Sequence, residues 1–112
     1  MNLATMTQDQ LLQRCGWCHV ELHREQPRFG SGVKLPVRVR PVLEPFEGRF
    51  LPFPVNNERE IILYVTRSDS PARAQGFELS FQGCSEKCLR ELLEAFSRKR
   101  KEWEGGGVGV IG

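Results

Sequence analysis

The sequence predicts a small α+β domain, in which a small antiparallel sheet is closed by a C-terminal helix and tied together by two cysteine pairs. Three observations carry that expectation. From Val33 to Val39 and from Gly76 to Gln82 apolar residues recur at every second position, the period of a pleated strand. After Cys84 the period lengthens to three or four, the spacing of one helix face. Cys15 and Cys18 form one close pair and Cys84 and Cys88 another, a pattern that folding can bring to one point.

The first expected element is a short helix ending near Arg14. Thr7 and Gln10 can form a capping box ahead of Leu11 and Leu12, each side chain satisfying the other's backbone donor. Cys15-Gly16-Trp17-Cys18 follows as a turn, with Gly16 giving the chain room to tighten. From Val33 to Val39, alternating valines and leucine against Lys34, Pro36, Arg38 and Arg40 predict a strand with one basic face, and Pro36 puts it at an edge. Pro41 to Pro54 contains four prolines, so its backbone is expected to cross the core irregularly while Phe46, Phe50 and Phe53 pack inward.

Glu60 to Arg67 is apolar on both faces, which predicts a central strand. Gly76 to Gln82 places Phe77, Leu79 and Phe81 inward and Glu78, Ser80 and Gln82 outward, pairing back across the loop Ser68 to Gln75. The last helix is expected from about Glu86 to about Lys101, capped by Ser85, with Leu89, Leu92, Leu93, Phe96 and Trp103 on its apolar face. Residues 1–104 therefore read as one domain and 105–112 as a glycine-rich flexible tail.

Composition narrows the function classes. At 112 residues, 39% hydrophobic and 27% charged, the chain is balanced for one packed core. A formal charge of +2 does not commit it to nucleic acid. The N-terminus lacks a basic start and an apolar core of signal length, and Ile61 to Val65 is too short to span a bilayer. The expected compartment is the cytoplasm, with no membrane partner. Paired cysteines in a reducing compartment favour metal over disulfides.

A C-x-x-C turn and a C-x-x-x-C helix start can present four thiolates as a tetrahedron, so Cys15, Cys18, Cys84 and Cys88 are the candidate ligands of one structural Zn2+. The helix N-terminus favours the thiolate form of the second pair. Binding of this kind contributes on the order of 10 kcal/mol in small domains, so the metal would be part of the fold. Phe81-Gln82-Gly83-Cys84-Ser85-Glu86-Lys87-Cys88 together with the first pair resembles the treble-clef zinc fingers of the TRASH and MYM type. The resemblance covers the two cysteine pairs and the basic run after the helix. It implies a structural metal and a role in binding protein, nucleic acid or metal, without catalytic residues.

Other readings compete for the same residues. Cys15 to His19 fits the C-x-x-C-H pattern of haem attachment, which needs export and leaves Cys84 and Cys88 unused. A thioredoxin-like dithiol needs a buried strand before Cys15, and none is expected. His19 and His23 could replace a cysteine or serve a treble-clef nuclease, although no acidic or amide neighbour completes that site; solvent-facing histidines explain both positions. Arg98, Lys99, Arg100 and Lys101 could contact phosphates, extended by Arg38 and Arg40, but a solvated helix end explains the same four cations. The expected function is a non-catalytic zinc-stabilised module for a protein or nucleic-acid partner, with no small-molecule substrate indicated.

Overall fold

A computed structural model describes residues 3–36 and 39–105. Helix α1 (Gln8–Leu12) starts from the expected capping box, in which Thr7 Oγ1 accepts from Gln10 N and Gln10 Oε1 accepts from Thr7 N. Strands β1 (Phe29–Val33), β2 (Phe50–Asn56), β3 (Arg59–Val65) and β4 (Leu79–Gly83) form one antiparallel sheet in the order β1-β4-β3-β2. Two short helices, α2 (Arg40–Leu43) and α3 (Pro71–Ala74), lie in connections, and α4 (Glu86–Gly105) follows β4. The architecture is α+β, as the alternation and the final helical period predict.

β3 is central because both of its faces are apolar. Ile61, Leu63 and Val65 join Leu79, Phe81, Leu92 and Phe96 in the main core, with α4 on that side. Ile62 points to the opposite face, where Leu3 and Leu11 cover it and Met6 and Phe50 pack alongside. Ring contacts at 5.1 Å between Phe81 and Phe96 and 4.7 Å between Phe50 and Tyr64 mark the two sides.

Two expectations are corrected. The strand expected from Val33 to Val39 lies earlier, at Phe29–Val33, and Arg40 opens α2 instead of facing out from a strand. Alternation alone could not place that register, because residues 29–33 carry two glycines whose backbone still pairs with β4 through Gly30↔Gln82 and Gly32↔Ser80. Val37 and Arg38 lie outside the described residues. The second correction is that Phe50–Asn56 is a strand despite Pro52 and Pro54. Val65 N donates to Arg49 O, which sets odd-numbered residues of β2 in the bonded positions. The prolines take the alternate positions on an edge strand, where no ladder donor is required. There the outward backbone of Phe50 is satisfied by the Gln8 side chain, which donates to Phe50 O at 2.9 Å and accepts from Phe50 N at 2.6 Å.

Glu78 also departs from the outward position its alternation predicts, being 1% exposed. Helix α4 runs beyond Lys101 to Gly105, while the Trp103 side chain and residues 106–112 of the expected tail lie outside the described residues. No helix among the described residues is long and apolar enough to cross a membrane.

Candidate metal centre

The first cysteine pair is placed by a wedge of backbone. β3 and β4 pair directly at Tyr64↔Ser80 and Val65↔Leu79, then part. Gly16 fills the opening, donating to Gln82 O at 2.8 Å and accepting from Ile62 N at 3.0 Å. The turn around it is closed by hydrogen bonds from Cys15 N to Val20 O and from His19 N to Cys15 O. His19 carries the left-handed φ of 66° that this closure requires. Such freedom is expected of Gly16 on sequence grounds, yet the positive-φ glycines described are Gly48 and Gly76. Gly16 is needed because the wedge leaves no room for a side chain.

The second pair spans the end of β4 and the first turn of α4. Ser85 Oγ accepts from Cys88 N at 3.1 Å, the cap that starts the helix. Four sulfurs from two distant stretches meet here, all within 4.8 Å of one another. Cys18 Sγ lies 3.7 Å from Cys84 Sγ, and Cys84 Sγ lies 3.6 Å from Cys88 Sγ. A tetrahedron with metal–sulfur bonds of about 2.3 Å has edges of about 3.8 Å, so the donor set fits a tetrahedral ion. All four cysteines are free, and the spacing is well beyond a disulfide bond of about 2.05 Å.

The electrostatics of the cluster favour a cation. Burial opposes charge on Cys15, but N–H groups of Cys18, Trp17 and Cys84 point at its sulfur at 3.5, 3.4 and 3.3 Å. Together they hold its pKa at about 7. Desolvation and then the neighbouring sulfurs of Cys88, Cys18 and Cys15 push Cys84 up to about 12. Burial likewise raises Cys18. One thiolate is stabilised by the backbone and further thiolates are opposed, until a positive ion compensates them.

The remaining candidates are not gathered around this cluster. His19 Nε2 is hydrogen-bonded to Glu60 O at 2.7 Å, and His23 is exposed. Arg40 pairs with the buried Glu78 at 3.1 Å, and Arg98 with Glu94 at 3.8 Å. Arg100 lines an apolar cleft, and Lys99 and Lys101 lie on the same stretch of α4. Trp17 packs against the core beside the cluster, as its place between two ligands suggests, under the Arg59 guanidinium at 4.0 Å. Arg59 also donates to Trp17 O at 2.7 Å. No local pattern marks Arg59 for this role, since its partner lies 42 residues away.

No protein-family model matches the chain, and no curated protein or solved structure matches it either. On geometry alone, the four-cysteine cluster suggests a metal-binding module.

Proposed function

We propose that Cys15, Cys18, Cys84 and Cys88 hold one structural zinc ion in a treble-clef-like site, and that the chain is a non-catalytic interaction module. The single observation that carries the reading is the cluster of four sulfurs at tetrahedral spacing. An all-thiolate tetrahedron suits zinc, which needs no open coordination position in a structural role. A turn supplying one pair, and a strand end leading into a helix supplying the other, support the treble-clef comparison.

Charge distribution favours a protein partner over nucleic acid. Of the six cations in the expected phosphate patch, Arg40 and Arg98 are drawn to carboxylates and Arg100 lines an apolar cleft. The imidazole of His19 is hydrogen-bonded to a backbone carbonyl, which supports a structural role for it.

Elemental analysis of protein purified without added metal, with native mass before and after a strong chelator, tests the metal. One zinc per chain, lost together with the folded signal, is the expected result. Iron, or no metal with the mass of a disulfide form, overturns it. For the partner class, nucleic-acid binding that weakens steeply with salt, and loses slope when Arg98, Lys99, Arg100 and Lys101 are neutralised, would reverse the protein preference. Nucleic-acid hydrolysis that depends on His19 or His23 would overturn the non-catalytic reading.

A further inference from the structure

The two edges of the sheet are finished differently. At the β2 edge Pro52 and Pro54 bring no ladder donors, and the Gln8 side chain takes up both backbone groups of Phe50. The β1 edge has no such cover among the described residues. Thr66 N donates to Glu78 O at 3.1 Å and Gly16 N to Gln82 O at 2.8 Å, so even-numbered residues of β4 turn their backbone toward β3. Its odd-numbered residues therefore bond β1, where Phe29, Ser31 and Val33 are their partners. Gly30 and Gly32 are left with their N–H and C=O groups directed out of the sheet, and Gly30 is exposed. Ser31 Oγ donates weakly to Gly32 O at 3.4 Å, and no other hydrogen bond among the described residues uses these groups.

The same parity sorts the side chains. Phe29, Ser31 and Val33 share the α4 side of the sheet with Leu79 and Phe81. On the opposite side the half-buried Phe77 ring fills the space that a Cβ on Gly32 would take, and Lys34 Nζ lies 5.5 Å from that ring. Arg28 is on this side too, donating to Gln82 Oε1 at 3.4 Å and to Leu12 O at 3.2 Å. Both of its acceptors are neutral, and neither cation is in an ion pair among the described residues. The open edge thus carries a positive charge at each end of one face, with an aromatic ring between them.

Charge decides the occupant. A second copy paired antiparallel along the whole strand, about Ser31, would set Arg28 of each chain opposite Lys34 of the other. Like charges directly opposite each other are destabilising. An extended segment of another protein avoids that conflict when acidic residues stand opposite both cations. Arg28 and Lys34 are six positions apart, so antiparallel pairing places five residues between the two acidic ones. The residues opposite Gly30 and Gly32 share the acidic residues' face, where a large apolar side chain packs on Phe77. Their backbone meets the outward groups of the two glycines.

We propose that the β1 edge docks an extended, acidic-flanked segment of a partner protein as an added strand antiparallel to β1. The proposal deepens the interaction-module reading, and rests on it, by giving the surface and the chemistry of its partner.

The probe is the capped peptide Glu-Thr-Phe-Thr-Val-Thr-Glu, titrated at low salt into the full chain as purified, with calorimetry and backbone amide chemical shifts as readouts. Shifts are expected from Phe29 to Lys34 and at Phe77. Methylating the amide nitrogens of the peptide's phenylalanine and valine, which stand opposite Gly32 and Gly30, removes both ladder donors and should weaken binding about tenfold. Lysine in place of both glutamates should weaken it about fivefold, and Lys34→Glu should narrow that preference. Gly30→Pro removes an outward N–H and should abolish binding; because a proline could disturb β1 itself, the peptide comparisons on the unaltered chain are deciding. No binding at millimolar probe, equal binding of the methylated peptide, no preference for glutamate over lysine, or shifts centred elsewhere would each overturn the proposal. Self-association of the chain through Phe29 to Val33 that the probe does not reverse would also overturn it, in favour of a second copy. Zinc is measured on the same sample, so a chain that carries zinc yet fails to bind the probe refutes the edge and leaves the zinc-module reading standing.

Discussion

Gly16→Ala is a one-carbon change whose effect follows from the wedge between β3 and β4. A Cβ at this position would lie 2.8 Å from Leu92 Cδ1, 2.9 Å from Gln82 O and 3.1 Å from Ile62 O. Leu92 is 0% exposed, so its methyl has little space to retreat. The other two atoms are backbone carbonyls of β3 and β4, which move only with their strands. Overpacking of this kind costs about 1–3 kcal/mol, and loss of one wedge hydrogen bond adds about 1 kcal/mol. Alanine returns about 0.4–1 kcal/mol by restricting the unfolded chain, which leaves a net loss of about 1–3.6 kcal/mol. At roughly 4 °C per kcal/mol for a domain of this size, the midpoint should fall by about 4–14 °C. Urea unfolding of the metal-loaded protein measures the first quantity, and chelator competition measures the accompanying loss of metal affinity as Cys15 and Cys18 are displaced. Stability within about 0.5 kcal/mol of the parent, with unchanged metal affinity, would refute the claim that the wedge is tightly packed.

Two further outcomes follow from named contacts. Metal affinity should fall as pH drops through about 7, because Cys15, which the surrounding N–H groups hold at about 7, then takes up a proton, while Cys18 and Cys84, raised above 9.0 by burial, must give up theirs to the ion. Chelator competition from about pH 6 to 9 measures the fall, and a metal affinity that does not change with pH would contradict the N–H arrangement around Cys15. Glu78→Ala should lower stability by about 2–3 kcal/mol, because Leu35 N loses its acceptor and Arg40 its buried partner. Glu78→Gln keeps an acceptor for Leu35 N and should lose less, about 1–2 kcal/mol, since Arg40 is 46% exposed and finds water. Denaturant midpoints equal to the parent's in both variants would show that the Glu78 hydrogen bonds contribute nothing.

What was legible in the sequence was what local pattern controls. The capping box of Thr7 and Gln10, the two-faced β3 and the Ser85 cap each depend on residues within one turn or strand, and they stand as expected. The meeting of the cysteine pairs was legible because the donor type and spacing leave few alternatives. What failed depended on distant contacts. Alternation placed Glu78 in solvent, but Arg40 and Leu35 N come over it from 38 and 43 residues away and make burial tolerable. Prolines argued against a strand at Phe50–Asn56, yet which of its backbone groups face β3 is decided by the pairing register. The role of Gly16 was hidden for the same reason: its neighbours Gln82 and Ile62 are remote in the chain.

The position of the cluster explains why a metal would matter to this fold in particular. Leu3 and Leu11 cover one face of the sheet, and the chain after α1 leads directly into Cys15 and Cys18. Cys84 directly follows β4 and Cys88 lies in the first turn of α4, which covers the other face. A metal–thiolate centre there joins the two covering layers around the end where β3 and β4 part. Other bonds across that end include the two Gly16 hydrogen bonds, Gln82 Nε2 donating to Leu12 O at 2.6 Å and Arg14 O at 3.0 Å, and the guanidiniums of Arg59 and Arg28 donating to Trp17 O at 2.7 Å and Leu12 O at 3.2 Å. Each contributes about 1–3 kcal/mol, whereas zinc binding would supply on the order of 10 kcal/mol against a whole-domain stability of about 5–15 kcal/mol. The wedge therefore sets where the sulfurs stand, and a bound ion would decide whether the layers stay joined.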